Sequence, residues 1–256
     1  MEQEEYAIMY REEKRHWWYR GMADITRSLL SSRYPSAAHL RILDAGCGTG
    51  GALTFLKDFG QVVGIDQMRL ALEYAQRRRQ EGEHHAPLAQ ASVTALPFAD
   101  ASFDLVTSFD VLYHLGVADD AVALAEFHRV LRPGGRLLLR LPAHEWLRGQ
   151  HDAAVHTRHR YTRKEIAAKL ARCGLVPETL SYANAWLLPL LAVKRLRERR
   201  HNAQPISDLA SGPPRFNRVL HTILRSEAPF IRSIGLPLGS SLVALARKPT
   251  AGLQAD

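Results

Sequence analysis

Leu43-Asp44-Ala45-Gly46-Cys47-Gly48-Thr49-Gly50-Gly51 joins a carboxylate to a run of closely spaced glycines, directly behind a short apolar stretch. Glycine tolerates φ > 0 and carries no Cβ, so such a turn lets the backbone approach a bound cofactor. Gly46, Gly48 and Gly51 satisfy G-x-G-x-x-G, and Asp66 follows about twenty residues on, as a dinucleotide fingerprint requires. Asp44 argues the other way. A carboxylate just before the turn repels a pyrophosphate and suits a ligand with a cationic head and no phosphate.

Asp44-Ala45-Gly46-Cys47-Gly48-Thr49-Gly50 resembles motif I of the class I S-adenosylmethionine-dependent methyltransferases. Gly64-Ile65-Asp66-Gln67-Met68 is similar to the acidic end of their second strand. Ala95-Leu96-Pro97-Phe98-Ala99-Asp100-Ala101-Ser102-Phe103-Asp104-Leu105-Val106 resembles the approach to their fourth, and Arg129-Val130-Leu131-Arg132-Pro133-Gly134-Gly135-Arg136-Leu137 the turn into their fifth. The four blocks stand in the family's order, span residues 38 to 142 and come closest to its type 11 group. The resemblance implies S-adenosyl-L-methionine as cofactor, S-adenosyl-L-homocysteine as product, and methyl transfer as the activity.

On that resemblance, Asp44 takes the ammonium at the methionine end of the cofactor. N–H groups around Gly46 and Gly48, with Cys47 and Gly50 in the same loop, approach its carboxylate. Asp66 takes the two ribose hydroxyls, and capping of the helix opening at Gln67 is its structural alternative. Met68 covers one adenine face, or packs in the core. Ser92 stands where family members commonly present an acid, which leaves its hydroxyl and the Val93 N–H to meet the adenine. Phe109-Asp110-Val111-Leu112-Tyr113-His114-Leu115 follows the fourth strand, where the transferable methyl faces the acceptor. Ser108-Phe109-Asp110-Val111 lacks the Pro-Pro-aromatic signature of enzymes that methylate base amines.

His114 is a general-base candidate, because imidazole titrates near neutral pH, and loop support is its alternative. Tyr113 beside it is a second catalytic candidate. His144, His151, Asp152, His156, His159 and Arg160 form another cluster, in which His151 is a candidate for acceptor binding or general-base work. Their spacing gives no i, i+4 pair with a clear third ligand, so no metal is expected. In His16-Trp17-Trp18-Tyr19-Arg20 one or two aromatics, Tyr19 among them, are expected over the cofactor, with Arg20 paired bidentately to its carboxylate. Lys194-Arg195-Leu196-Arg197-Glu198-Arg199-Arg200 follows the apolar Trp186-Leu187-Leu188-Pro189-Leu190-Leu191. That passage fits an anionic membrane or a prenyl or lipid-linked substrate, and equally a solvated helix end.

Alternating elements must position these residues. Helical spacing runs from Glu4 to Tyr34, where Pro35 ends it. Strands are expected at Arg41–Ala45, Gln61–Asp66, weakly at Leu88–Ala91, then at Phe103–Phe109 and Gly135–Leu141. Helices are expected at Gly50–Asp58, Met68–Arg79 and Asp119–Val130. A helix to Arg172, capped by Gly174, precedes strands Val176–Tyr182 and Ser241–Arg247. The fold class is α/β, a Rossmann-like seven-stranded, mostly parallel sheet with helices on both faces. Such sheets bind ligands beyond the carboxyl ends of their strands, where Asp44, Asp66 and Phe109 all fall. Roughly fifty residues separate the last two strands, too many to be structureless, and Trp186–Arg200 and Arg215–Ser226 read as helices. The expected organisation is a helical N-terminal lid over 1–36, a core over 37–183 and 240–250, and a helical insertion over 184–239 that caps the substrate.

The chain has 256 residues, 46% of them hydrophobic, enough for one packed α/β domain with an appendage. Two cysteines in unlike contexts and an acidic N-terminus suggest a reduced, cytoplasmic protein without a signal peptide, a monomer or homodimer. No apolar stretch is long enough to span a bilayer, although peripheral membrane contact is compatible with the basic segment. A net charge of +8 permits nucleic acid, anionic lipid or a phosphorylated small molecule and selects none of them. The expected function is methyl transfer to a small molecule of natural-product, sugar or lipid-linked (prenyl) type, anionic or lipid-like. The alternatives are an NAD-type dinucleotide-dependent oxidoreductase, a non-catalytic cofactor-binding partner subunit, and an RNA methyltransferase.

Overall fold

The computed structural model describes residues 3–34, 39–200 and 216–250, and of His151 and residues 198–200 only the backbone. Seven strands form one sheet: β1 Leu40–Ala45, β2 Gly60–Asp66, β3 Leu88–Gln90, β4 Phe103–Phe109, β5 Leu131–Pro142, β6 Val176–Ala183 and β7 Ser241–Arg247. Their order is β3-β2-β1-β4-β5-β7-β6, with β7 antiparallel to both its neighbours and the other pairs parallel. Chain direction across the sheet reverses between β1 and β4. Asp44 therefore sits at the switch point, level with Gly64 on one side and Thr107 on the other.

Strands buried on both faces read as unbroken apolar runs, and alternate residues in them feed two cores. Val106, Leu137 and Leu139 join Leu124, Phe127, Tyr161 and Leu170 on one face, beneath α5 (Asp120–Val130) and α7 (Arg163–Arg172). Ile42, Leu105 and Leu138 join Ile25, Leu29 and Leu56 on the other, beneath α2 (Trp17–Arg33) and the short α3 (Leu53–Leu56). Asp119 and Thr162 start α5 and α7 by accepting the N–H groups of Ala121 and Glu165. The helix expected over Gly50–Asp58 is reduced to α3, and Gly50, at φ +86°, stands outside it.

The N-terminal segment is two helices, not the continuous one its spacing suggests. α1 (Gln3–Glu12) ends before a turn, and His16 caps α2 with Nδ1 accepting from the Trp18 N–H at 3.3 Å. The break lets Glu13 turn inward.

Between β6 and β7 stand α8 (Leu188–Arg200), α9 (Asn217–Arg225) and α10 (Ala228–Ser233). α9 and α10 pack directly on α2. The insertion and the N-terminal helices are therefore neighbours in one wall. Gly21 permits that approach, since a Cβ there would lie 2.6 Å from Leu224 Cδ2. Glu227 anchors the entry: its buried carboxylate accepts the N–H groups of Asn184 and Ala185 at 2.7 Å and of Trp186 at 2.9 Å. Asn184 Nδ2 donates to Ser240 Oγ at 2.7 Å, which ties the two ends of the insertion together.

Candidate active site

A cavity of about 1310 Å³ runs along the carboxyl ends of β1, β2 and β4 and out between α2, α8 and α9. Its floor is the glycine turn. Gly46 and Gly48 hold φ of +87° and +54°, and a Cβ on Gly46 would run into Val111. The N–H groups of Gly46 and Cys47 both donate to Ile65 O at 2.8 Å, and that of Gly48 to Asp66 Oδ2 at 3.0 Å. The turn is thus braced against β2. The N–H groups of Gly46, Cys47 and Gly48 are hydrogen-bonded within the protein. Cys47 offers backbone here, its thiol being buried against Gly64 and pushed well up by that burial. Gly50 stands off the cavity, against Ala75 and His84.

Asp44 is buried to 1% exposure. Thr107 Oγ1 donates to its Oδ1 at 2.7 Å, and Oδ2 has no partner among the described residues. Burial pushes its carboxyl up to about 7, against the opposing effects of the Thr107 hydroxyl and the Arg140 charge. An orphaned, buried acceptor in a cavity wall fits a cationic ligand head. Asp66 accepts from Gly48 N and, at 2.8 Å, from Met68 N. Each of its oxygens keeps a second lone pair, enough for a vicinal diol. Burial raises this carboxyl, and its backbone hydrogen bonds oppose the shift.

Gln67, Met68 and Val93 line the adjoining wall, Met68 half open to solvent. The Ser92 hydroxyl is engaged elsewhere, with Thr94 Oγ1 at 2.8 Å and the Thr94 N–H at 3.2 Å. That local turn leaves Val93, and not the serine, facing the cavity.

Four residues over the cofactor turn were missed in the sequence. Tyr6 lies near Asp66, its hydroxyl pushed up to about 12 by burial and that charge. Met9 Cε lies 3.0 Å from where a Cβ on Gly48 would stand, and the Glu13 carboxylate fills the space over Gly51. Arg78, on α4 (Arg69–Gln80) and 1% exposed, ties them down. Its donors reach Tyr10 O at 2.6 Å, Thr49 O at 2.8 Å, Glu13 Oε2 at 2.9 Å and Glu83 Oε2 at 3.1 Å. Nothing in Arg77-Arg78-Arg79 marks the middle arginine as the buried one except its place on the helix face shared with Ala71 and Ala75. Tyr19 is half-buried in the wall, its hydroxyl pushed well up by burial and by Glu13, whereas Arg20 is an exposed part of the rim.

Past β4, Phe109 and Asp110 enter the cavity, Asp110 in the left-handed region at φ +58°. Arg140 from β5 donates Nε to Asp110 Oδ2 at 2.6 Å. Its guanidinium carbon lies 4.8 Å from the Trp18 ring centre and 5.0 Å from that of Phe109. Tyr113 lines the same end, its hydroxyl raised by burial and by Asp110. His114 is pushed down to about 4 by burial and by the neighbouring His156. The Gly116 N–H donates to His114 Nδ1 at 3.0 Å, so the neutral ring carries its proton on Nε2. In that tautomer Nε2 is a donor and not a base.

His151 falls on the short α6 (Gln150–Ala154), its side chain outside the described residues. The other members of that cluster are engaged within the protein. Asp152 holds Arg160 bidentately at 2.8 and 3.0 Å, His144 stacks on Tyr182, and His159 meets Glu165.

A family profile described as a methyltransferase domain matches residues 43–139. The malonyl-[acyl-carrier protein] O-methyltransferase of Pseudescherichia vulneris is 31% identical over 200 residues, 72% of this chain and 75% of that one. The enzyme of the same name from Enterobacter lignolyticus is 40% identical over 109 residues, 42% of this chain and 41% of its own. The chain thus spans only about two fifths of the length of several curated relatives it matches. Among solved structures, geranyl diphosphate C-methyltransferase from Streptomyces coelicolor A3(2), in complex with Mg²⁺, geranyl diphosphate and S-adenosyl-L-homocysteine, superposes with a TM-score of 0.56 at 18% identity. That alignment covers 88% of this chain and 80% of the other, and shares the fold. With the strand order, the braced glycine turn and Asp44 and Asp66 in the cavity wall, these matches establish that the chain belongs to the class I S-adenosylmethionine-dependent methyltransferases.

Proposed function

We propose that this chain moves a methyl group from S-adenosylmethionine to a small-molecule acceptor of natural-product, sugar or lipid-linked type. The orphaned Asp44 Oδ2 carries the reading, because a buried carboxylate oxygen without a partner is satisfied by a cationic donor and the cofactor's ammonium is one. Cavity size supports it further. About 1310 Å³ exceeds the usual 300–1,000 Å³ of a one-ligand pocket and leaves room for an acceptor beside the cofactor. In this reading Asp44 holds the ammonium, Asp66 the ribose diol, and Met68 and Val93 the adenine faces, while Arg20 meets the methionine carboxylate from the rim.

When bound, the cofactor supplies an electrophilic methyl on a sulfonium. The chain supplies placement. Asp44 and Asp66 fix the two ends of the ligand, and the cover of Tyr6, Met9 and Glu13 keeps water away from the turn. At the acceptor end Tyr113 and His114 present an O–H and an N–H, donors that orient an acceptor oxygen or nitrogen. The malonyl-[acyl-carrier protein] and geranyl diphosphate relatives support an acceptor of this size class.

Two measurements test the proposal. Calorimetry should show S-adenosylhomocysteine binding, weakened by on the order of 1–3 kcal/mol in Asp66→Ala through loss of hydrogen bonds to a charged group. Labelled methyl should pass to small molecules and not to total RNA. NADH binding without any response to S-adenosylhomocysteine would sink the reading.

A further inference from the structure

We infer that the acceptor is an amphiphile: Arg140 receives its carboxylate or phosphate group, and the α8–α9 wall receives its apolar body. The inference rests on the methyl-transfer reading above and names the substrate class of that same cavity.

Arg140 is set into the wall with its side chain 12% exposed, an expensive place for a cation. Trp18 and Phe109 cover its planar faces, and Asp110 takes one edge through Nε. Its remaining N–H groups have no hydrogen-bond partner among the described residues. Arg78 and Arg160, also in the wall, differ in this respect. Arg78 commits its donors to Tyr10, Thr49, Glu13 and Glu83, and Arg160 commits its own to Asp152 and Ala143 O.

A guanidinium held by two rings and one carboxylate, with an open fork toward a cavity, is a receptor for a planar or tetrahedral oxyanion. A purely structural ion pair with Asp110 needs neither the aromatic faces nor the open edge. Position supplies the second argument. Arg140 lies near the carboxyl end of β5, paired with Phe109 and beside Asp110, where in this reading the acceptor meets the methyl, and its charge acts on Asp44, Glu13, Tyr19 and Tyr113. An oxyanion there also complements a sulfonium next to it.

The apolar half comes from the insertion. Leu190 and Val193 of α8 and Phe216 and Val219 at α9 line the cavity, yet remain 65%, 46%, 50% and 55% exposed. Apolar side chains that face a cavity and still see solvent gain by contact with an apolar ligand. Polar sugars gain nothing from such a wall.

The test uses enzyme loaded with S-adenosylhomocysteine and titrated by calorimetry with octanoate, octyl phosphate, octanol and acetate. Octanoate or octyl phosphate, whichever matches the natural head group better, should bind at least about tenfold tighter than octanol, and octanoate tighter than acetate. Arg140→Gln, titrated at a pH well above the raised value of the Asp44 carboxyl so that Asp44 is ionised in both proteins, should erase the preference for the anion and leave S-adenosylhomocysteine binding unchanged. Arg140→Lys, which keeps the charge without the fork, should retain part of it, and serves as the second variant if the glutamine form does not fold. Octanol binding as tightly as both anions, or no binding by either anion, overturns the inference with wild-type protein alone. Acetate matching octanoate removes the apolar body. Equal weakening of S-adenosylhomocysteine in Arg140→Gln assigns Arg140 to the cofactor's own carboxylate and also overturns it. Failure of wild-type protein to bind S-adenosylhomocysteine counts instead against the methyltransferase reading.

Discussion

Asp44 ties a residue choice to an observable pH effect. Its carboxyl, raised to about 7 by burial, must release a proton before it can meet an ammonium. Proton release favours binding as pH rises, so affinity for S-adenosylhomocysteine should climb between about pH 5.5 and 7.5 and level off above the raised value. The slope should approach tenfold per pH unit at the acid end. Asp44→Asn removes both the proton and the charge, and should bind more weakly with a flat profile over the same range. Calorimetry in two buffers of different ionisation enthalpy would read the proton release directly. A wild-type profile as flat as that of the asparagine variant would place the ammonium elsewhere. At this scale the sequence was legible wherever chemistry depends on a local run. Asp44, Gly46, Gly48 and Asp66 stand in one motif and one strand end, and all reach the cavity. Ser92 and His114 were less legible, because Thr94 and Gly116, each two residues on, decide where the hydroxyl and the ring point.

At the scale of elements, α1 is held over the cofactor turn chiefly by one side chain. Arg78 is its buried link to the sheet, and Tyr10, Glu13 and Thr49 converge on it. Removing one partner of a buried ion pair leaves the other charge stranded, at a cost of about 3–5 kcal/mol. Arg78→Met should therefore lose about that much stability in denaturant unfolding. Amide exchange should accelerate most over Gln3–Glu12, and affinity for S-adenosylhomocysteine should fall as the cover lifts. Adding Glu13→Gln should recover part of the loss, since the stranded carboxylate is then gone. Uniform exchange across the sheet in the variant would show instead that Arg78 braces the whole fold. The N-terminal break was hidden for a related reason. Residues 13–16 keep good helix spacing, while Arg78 and Thr49, both distant in sequence, hold Glu13 where the chain turns.

For the whole molecule, the proposed function gives cofactor chemistry to the sheet and acceptor choice to the insertion. Glu227 accepts three backbone N–H groups at its entry, so Glu227→Ala strands them in a buried site, at about 1–3 kcal/mol for each group left unsatisfied. Exchange protection should drop in α9 and α10, methyl transfer should fall at least about tenfold, and S-adenosylhomocysteine affinity should hold within about threefold, since Asp44 and Asp66 lie on the sheet. A parallel loss of cofactor affinity would mean that the insertion supports both halves of the cavity. The strand–helix alternation, the glycine turn and the acidic strand ends were readable because each is set by neighbours within a few residues: burial on two faces demands apolar runs, and φ > 0 demands glycine. Packing of α9 on α2 was not readable, since it depends on Gly21 meeting Leu224 across some two hundred positions. Arg140 between Trp18, Phe109 and Asp110 was equally hidden, because its partners come from α2, β4 and the turn after β4, and only the folded sheet brings them together. Fold class and cofactor were thus legible in local patterns. Tertiary structure decided which charges are buried, which donors stay open, and so what the acceptor end can hold, because burial and pairing are properties of contacts between distant segments.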